Sequence, residues 1–282
     1  MNFGHQPRPA VSGRRSRGGD RRAIGLAVAL ALMPSGSDPA AAAPPDTPVC
    51  SAPTTLTTLR KPLPHFAKQL AGAAPVTIVA LGSSSTFGFG ASSPLATYPS
   101  RLEAELRQLY PGRVIRVVNR GVNGNETRDE MVRFERDVLA EKPDLVIWQV
   151  GTNTLLNGHD MWPVFLDLQD GIAHLRAQGA DVVLMNMQYS PKVLSRPNHE
   201  AMEELIDVAG KELEVDVFDR FAIMHNWVSG QHLPFERFIT PDGLHMNDWA
   251  YGCLAHLLAA TITSRTAVEV ARTPTPDASI AR

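Results

Sequence analysis

Two short stretches of the sequence combine the residue types that acyl transfer requires. Near the C-terminus, "TPDGLHMNDW" contains Asp242 and His245, three positions apart. That spacing lets a carboxylate on a turn reach the Nδ1–H of the histidine and fix its tautomer, so that Nε2 can accept a proton. Earlier in the chain, "VALGSSSTFGFGAS" presents three consecutive serines, Ser83 to Ser85, directly after an apolar run. A serine there can act as the nucleophile, although three hydroxyls in a row are also typical of a turn that caps a helix.

Donors for the oxyanion of an acyl-transfer intermediate follow two further apolar runs. The small and polar residues at these places are Gly121, Asn123, Gly124 and Asn125 after one run, and Gly151, Thr152, Asn153 and Thr154 after the next. A glycine N–H, an asparagine amide and the serine's own N–H can together supply three donors. The sequence therefore contains every kind of group that acyl transfer through a serine needs.

Five short apolar runs, rich in Val and Ile, predict the strands that must position these groups. The runs cover residues 76–82, 114–121, 144–151, 181–189 and 215–220. Helical patterns with apolar residues on one face separate or follow them, at 98–112, 126–143, 165–179, 199–213 and 247–262. This alternation predicts a three-layer α/β/α sandwich with a parallel sheet of about five strands. Ligands of such sheets bind beyond the carboxyl ends of the strands, where the serines, glycines and asparagines gather.

The first 43 residues are predicted to be a secretory signal peptide. Arginines between Arg14 and Arg22 form a basic region, the apolar run Ala23–Met33 follows, and alanines near Ala43 suit a signal peptidase. The run is short for a bilayer span, and a buried N-terminal helix is the alternative interpretation. The rest of the chain is predicted to form an extended N-terminal segment (44–74), one α/β domain (75–268) and a disordered tail (269–282). A periplasmic or secreted location follows from the signal peptide.

The net charge of the exported chain limits the partners that it is expected to bind, and its two cysteines predict a covalent link. The 282 residues are 44% hydrophobic and 20% charged, an ordinary globular composition. Removing the signal peptide, with its six arginines and two aspartates, moves the formal charge from −2 to −6. An acidic domain lacks the basic footprint of a nucleic-acid binder, and no later apolar run has membrane length, which argues against a stable membrane anchor. Cys50 and Cys253 are predicted to form one disulfide in an oxidising compartment.

The order of the polar blocks resembles that of the SGNH (GDSL-type) hydrolases, whose fold is a flavodoxin-like α/β sandwich. The matching blocks are G-x-S-x-T after the first strand, a glycine in an N-G segment after the second, G-x-N after the third, and D-x-x-H near the C-terminus. The resemblance spans roughly residues 76–256. It implies that Ser84 is the nucleophile and that Asp242 and His245 complete a catalytic triad. It also implies an oxyanion hole made by Ser84, Gly124 and Asn153.

Two positions depart from the family pattern. Ser83 stands where the first block usually has an aspartate, and Thr154 stands where the third block often has one. Neither position belongs to the triad, so the departures bear on the hydrogen bonding around the nucleophile turn and the third loop. The resemblance implies neither a cofactor nor a metal.

The activity that the resemblance implies is that of an exported serine esterase, which hydrolyses carboxylic esters through an acyl-enzyme. Small-molecule or carbohydrate esters are the expected substrates, with deacetylation of carbohydrate as one form of the reaction. The alternatives are a non-catalytic glycan-binding protein of the cell envelope on the same fold, and an acyltransferase that uses the same triad. Asp219 is a rival to Asp242 for orienting His245. Three tryptophans could stack on sugar rings or pack under the loops: Trp162, Trp227 and Trp249.

Overall fold

Five parallel β-strands form the central sheet of the protein, in a computed structural model that describes residues 49–272 and the side chains of residues 49–264. The strands are β1 (Val76–Gly82), β2 (Ile115–Gly121), β3 (Leu145–Gln149), β4 (Asp181–Met185) and β5 (Asp216–Phe218). Their order across the sheet is β2-β1-β3-β4-β5, and each neighbouring pair is parallel. This is the flavodoxin-like order, so the predicted α/β fold with a parallel sheet is confirmed.

Eleven α-helices occur within residues 49–272; the first precedes β1, and the others connect the strands or follow the last one. They are α1 (Pro64–Ala71), α2 (Ser84–Phe87), α3 (Tyr98–Leu109), α4 (Thr127–Val132), α5 (Phe134–Asp137), α6 (Thr152–Asn157), α7 (Trp162–Ala177), α8 (Pro191–Leu194), α9 (His199–Glu212), α10 (Arg220–Ser229) and α11 (Asp248–Arg272). Short 3₁₀ turns occur at Thr54–Leu56, Pro94–Ala96, Leu139–Glu141 and Phe235–Arg237. No helix in this part of the chain is both long enough and apolar enough to cross a membrane.

The sheet is buried on both faces because its strands are apolar at consecutive positions. In β1, Ile78 and Ala80 point into one hydrophobic cluster, whereas Val79 and Leu81 point into the other. Successive side chains of a strand lie on opposite faces, so a continuous apolar run fills both layers. The first cluster is closed by side chains of α1, α3, α10 and α11, and the second by side chains of α5 to α9. The sheet is therefore packed against hydrophobic clusters on both of its faces.

The predicted helix over residues 126–143 is wrong in one respect, because the structure divides it into α4, α5 and a 3₁₀ turn. The first break falls at Arg133, a buried residue with φ −106° and ψ 5°. Its guanidinium donates to Gly82 O (3.2 Å) and Asn125 Oδ1 (2.9 Å), and these contacts draw the backbone off the helical path. Apolar periodicity does not register such a contact between distant segments.

The last helix extends past the predicted domain boundary at residue 268. Helix α11 continues to Arg272, since no proline interrupts the sequence before Pro274 and the residue preceding a proline disfavours the helical conformation. The rest of the predicted tail, the signal peptide and residues 44–48 of the predicted N-terminal segment lie outside the described residues.

A disulfide joins Cys50 to Cys253, as predicted, with a Cα–Cα separation of 5.3 Å. It ties the N-terminal segment to α11 across 203 positions of sequence. Trp227 reinforces the attachment, because its indole Nε1 donates to Ser51 O at 3.2 Å. The N-terminal segment is thus fastened to the helix that follows the His245 loop.

Replacing Cys50 and Cys253 together by serine is expected to lower the thermal stability and leave kcat near that of the parent protein. The chain-entropy model assigns a loop of this length an upper value of about 5.3 kcal/mol. Thermal unfolding with and without a reductant measures the effect, and reductant should not change the unfolding of the double variant. Detection of two alkylatable thiols in the non-reduced protein would contradict the bridge.

Glu130 of α4 is a carboxyl group buried in the core. Trp148 Nε1 donates to Glu130 Oε2 at 2.6 Å across the core. Burial raises the pKa of Glu130 from 4.5 to about 8, although the hydrogen bond from Trp148 and the charge of Arg133 work in the opposite direction. The folded protein therefore holds a proton on Glu130 that the unfolded chain releases at lower pH.

The variant Glu130→Gln is expected to weaken the loss of stability with rising pH. The contribution of Glu130 is complete below its ordinary pKa of 4.5 and is lost as the pH rises towards about 8. A glutamine keeps the acceptor for Trp148 but cannot ionise, so its melting temperature should fall less between pH 5 and 8. Melting curves over this range compare the two proteins. Parallel curves would show that Glu130 has no raised pKa.

Candidate active site

The three serines lie at the carboxyl end of β1, where the chain turns into α2. Gly82 has φ +156°, and a Cβ there would lie 2.4 Å from Thr86 Oγ1 and 2.7 Å from Gln149 Oε1. Ser83 donates to Gln149 Oε1 through both its N–H (2.9 Å) and its hydroxyl (3.0 Å). Ser83, which replaces the usual aspartate, therefore anchors the turn to β3. The next residue, Ser84, is 8% exposed at the first position of α2.

Ser84, His245 and Asp242 form one chain of hydrogen bonds. Ser84 Oγ lies 2.8 Å from His245 Nε2, and His245 Nδ1 lies 2.5 Å from Asp242 Oδ2. Position 84 is 161 residues from position 245, so only the folded chain brings the two together. An ionised aspartate can only accept hydrogen bonds, which assigns the proton of the neutral imidazole to Nδ1. Nε2 is then left as an acceptor for the Ser84 hydroxyl.

A tight loop holds Asp242 in the ionised form. Its Oδ1 accepts from Leu244 N (2.8 Å), His245 N (2.9 Å) and Thr240 Oγ1 (2.8 Å). Partial burial raises the pKa of Asp242, but the hydrogen bonds from His245, Leu244 and Thr240 outweigh it and bring the pKa well below its ordinary value. The carboxylate is therefore ionised at neutral pH and can support a positive charge on His245.

The predicted oxyanion residues lie in the loops after β2 and β3. Val122 N donates to Gly82 O at 3.0 Å, which joins the second block to the nucleophile turn. Gly124 is exposed, with φ +80° and open space where a side chain would point. Asn153, near the start of α6, donates through Nδ2 to Asn125 O at 2.8 Å. The side-chain amide nitrogen of asparagine carries two hydrogens, so one N–H of Asn153 remains for another acceptor.

Several residues that hold the candidate site in place were not identified from the sequence pattern. Gln149 anchors the nucleophile turn, and Arg133 joins Gly82 to Asn125. Glu126 accepts from Thr154 Oγ1 at 3.1 Å and from Asn157 Nδ2 at 2.6 Å, so Thr154 keeps a polar contact despite replacing an aspartate. Gln149 had a visible signal, since it is a polar residue inside an apolar strand run. Arg133 and Glu126 had none, because charged residues on helices are common.

Asp219 does not contact His245, although the sequence made it a rival of Asp242. Its Oδ1 accepts from Ala222 N at 2.9 Å and from Asn186 Nδ2 at 2.8 Å, which makes it the N-cap of α10. It lines a cavity of about 700 Å³ beside β5, whose walls include none of the residues Ser84, Asp242 and His245. Burial, followed by the charges of Asp219 and Glu200, raises the pKa of Glu203 in this cavity to about 8. The cavity is thus separate from the candidate active site.

The three tryptophans divide into two groups. Trp227 is fully buried, and Trp249 packs edge-on against it with ring centroids 4.9 Å apart. Trp162 is 58% exposed and stacks on Phe165, with centroids 5.1 Å apart and planes inclined by only 8°. Of the three, Trp162 is therefore the most exposed, whereas Trp249 is half-buried. No group of three or more His, Cys, Asp or Glu residues suited to a metal ion occurs among the described side chains.

The parallel sheet and the order of the four blocks define an SGNH-type hydrolase, and comparison with known proteins agrees. The chain belongs to the non-GDSL lipase-like family, whose sequence model matches residues 49–268. The predicted resemblance to SGNH (GDSL-type) hydrolases is confirmed by this match together with a solved lipolytic protein of the G-D-S-L family from Desulfitobacterium hafniense, which superposes with a TM-score of 0.56 at 21% identity over 66% of this chain and 99% of that one. The family match also covers most of the N-terminal segment, which the structure ties to α11.

Two relatives in sequence are esterases. An acetylxylan esterase of Geobacillus stearothermophilus is 40% identical over 75 residues, which are 26% of this chain and 34% of that enzyme. The chain thus aligns with about a third of that relative's length. An arylesterase of Vibrio mimicus is 26% identical over 203 residues, which are 69% of this chain and 92% of that enzyme. These relatives support the prediction of an ester-hydrolysing enzyme.

Solved structures share the fold at low sequence identity. The acetylxylan esterase Axe2 of Geobacillus stearothermophilus superposes with a TM-score of 0.58 at 22% identity, over 68% of this chain and 96% of that one. A two-domain esterase active on acetylated mannans superposes with a TM-score of 0.65 at 18% identity, over 78% of this chain and 58% of that one. At these identities the likeness shows the α/β fold.

Proposed function

We propose that the protein is an exported serine esterase in which Ser84, His245 and Asp242 are the catalytic triad. The single observation that carries the proposal is the continuous path of hydrogen bonds from Ser84 Oγ through the imidazole of His245 to Asp242. Nucleophile, base and orienting carboxylate stand in the relation that acyl transfer requires. The esterase relatives support the same reaction class.

The first half of the reaction forms an acyl-enzyme. Ser84 Oγ attacks the ester carbonyl carbon while its proton passes to His245 Nε2. The negative charge that develops on the carbonyl oxygen is held by the N–H groups of Ser84 and Gly124 and by the free amide N–H of Asn153. When the tetrahedral intermediate collapses, the bond to the alcohol oxygen breaks. His245 gives its proton to that oxygen, and the alcohol leaves.

The second half repeats the chemistry with water as the nucleophile. His245 Nε2 takes a proton from the water, whose oxygen attacks the acyl carbon, and then returns the proton to Ser84 Oγ as the carboxylic acid leaves. Asp242 keeps its charge throughout, because three hydrogen-bond donors besides His245 Nδ1 stabilise its carboxylate. It thereby favours each state in which the imidazole is positively charged.

A carbohydrate ester, and in particular an acetylated one, is the substrate class that we assign to this site. The relatives include an acetylxylan esterase and a fold neighbour active on acetylated mannans. In this chain, Trp162 offers one flat face to solvent while Phe165 supports the other, an arrangement suited to packing against the apolar face of a sugar ring. The disulfide between Cys50 and Cys253 suits the oxidising environment of an exported protein.

The proposal is tested with a series of p-nitrophenyl esters of increasing acyl length, together with acetylated xylan and mannan oligosaccharides. We expect hydrolysis that is fastest with acetyl, and a fluorophosphonate probe should label Ser84. Absence of both hydrolysis and labelling would favour the non-catalytic glycan-binding alternative. Transfer of the acyl group to an added sugar in preference to water would favour the acyltransferase.

Trp162→Ala tests whether the substrate is a carbohydrate ester, independently of whether the protein hydrolyses esters. We expect a higher KM for acetylated oligosaccharides and unchanged kinetics with p-nitrophenyl acetate, which has no sugar ring to pack against the indole. Val208→Ala, which trims an exposed apolar residue on α9, is the matched control. Equal KM values for the oligosaccharides in all three proteins would remove Trp162 from the substrate site.

A further inference from the structure

The side chain of Gln188 is completely buried in the segment between β4 and α8. Its Oε1 accepts from Thr152 Oγ1 at 3.1 Å and from Arg220 Nη2 at 3.0 Å, and Ser85 Oγ lies 3.5 Å from the same oxygen. Its Nε2 donates to Leu244 O at 3.3 Å. One amide therefore bridges four segments of the chain, although β4 supplies none of the proposed catalytic groups.

Three of these partners each adjoin a residue of the proposed active site. Ser85 follows Ser84, Thr152 precedes Asn153, and Leu244 precedes His245. From these contacts, and resting on the proposed function, we infer that Gln188 is a positioning residue. It sets the nucleophile, the oxyanion asparagine and the base relative to one another through their chain neighbours.

Arg220 determines which way the Gln188 amide faces. A guanidinium has only donors, so the amide atom beside it must be the oxygen. Nε2 must then point in the other direction, where Leu244 O accepts its hydrogen. A reversed amide would place N–H groups against Arg220 and Thr152 and leave Leu244 O without this donor. The orientation of Gln188 is thus decided by a neighbouring cation and not by Gln188 itself.

Burying the charged side chain of Arg220 is expected to destabilise the folded protein. The residue is fully buried, donates to Asn186 O through Nε (3.0 Å) and Nη2 (2.7 Å), and has no hydrogen-bond partner for Nη1 among the described residues. Burial lowers its pKa to about 10, so it is still charged at neutral pH. A buried cation without a carboxylate partner is unfavourable in a folded core. Such a cost is typical of a group retained to organise a site.

Gln188→Glu and Gln188→Met test the inference, because the first keeps some of the polar contacts of Gln188 and the second removes all of them. The glutamate keeps an acceptor for Thr152 and pairs with Arg220, but it replaces the donor to Leu244 O with a second acceptor. The methionine removes every polar contact with little change in shape. Both should lower kcat on the order of 10- to 100-fold with KM within about twofold, because small displacements of reacting groups are costly.

Thr152 provides the matched comparison for one of the contacts. Thr152→Val removes the hydroxyl that contacts Gln188 and should lower kcat, whereas Thr152→Ser keeps the hydroxyl and should restore it. Thr261→Val is the control, since Thr261 is equally buried and its hydroxyl bonds only to Leu257 O within α11. It should reduce the melting temperature by a similar amount and leave kcat unchanged.

A spectroscopic readout keeps this test independent of turnover. The proton between His245 Nδ1 and Asp242 should give a low-field ¹H resonance, which should shift or broaden in the Gln188 variants and in Thr152→Val but not in Thr261→Val. An unchanged resonance and a kcat within twofold of the parent would overturn the positioning role. A parent protein with neither esterase activity nor probe labelling would overturn the proposed function, while the resonance would still test Gln188.

Discussion

Ser84→Ala is expected to lower kcat for p-nitrophenyl acetate by about 10⁴–10⁶-fold, which is the scale of losing a triad that acts as a unit. The hydroxyl of Ser84 is the one that lies 2.8 Å from His245 Nε2. His245→Ala should cost as much, and the double variant should be little worse than either single one. Initial rates at saturating substrate measure these losses.

The neighbouring serines supply the controls for this prediction. Ser83→Ala removes a hydroxyl contact with Gln149 but keeps the backbone contact, and Ser85→Ala removes one contact of the positioning residue Gln188 while leaving its other contacts in place. Both variants should keep substantial activity. If Ser84→Ala stays active while a neighbour's substitution abolishes hydrolysis, the nucleophile has been assigned to the wrong serine. If none of the three substitutions matters, the serine esterase itself is refuted.

Asn153→Ala should lower kcat by about 10²–10³-fold with a small change in KM, as expected for an oxyanion donor whose contact is strongest in the transition state. Its amide already donates one hydrogen to Asn125 O, so the loop after β2 holds the second hydrogen in a fixed direction. Michaelis–Menten kinetics separate the two constants.

Thr154→Ala is the control for Asn153, because it alters the same turn of α6 but removes only the contact with Glu126. Its effect should be mild by comparison. A larger loss for Thr154→Ala than for Asn153→Ala would show that the third block has been assigned to the wrong residue.

Features that depend on local pattern could be predicted from the sequence by itself. β1 was expected at 76–82 and is found at Val76–Gly82, because a short apolar run between Pro75 and three serines is typical of a strand buried on both faces. The disulfide was expected from an even cysteine count. The place of Ser84 just after β1, and of Asn153 just after β3, followed from the positions of the strand ends. These properties are set by residues close together in the chain.

Features that depend on which distant segments meet were decided only by the tertiary structure. The resemblance already favoured Asp242 over Asp219, but only the fold shows that Asp219 contacts Asn186 and Ala222 and that Asp242 contacts His245. The break at Arg133 arises from its contact with Gly82, and the exposure of Trp162 from the packing of α7. The bridge made by Gln188 joins segments between positions 85 and 244. A single buried side chain leaves no periodic signal, because its partners are brought to it by the fold and are not encoded beside it.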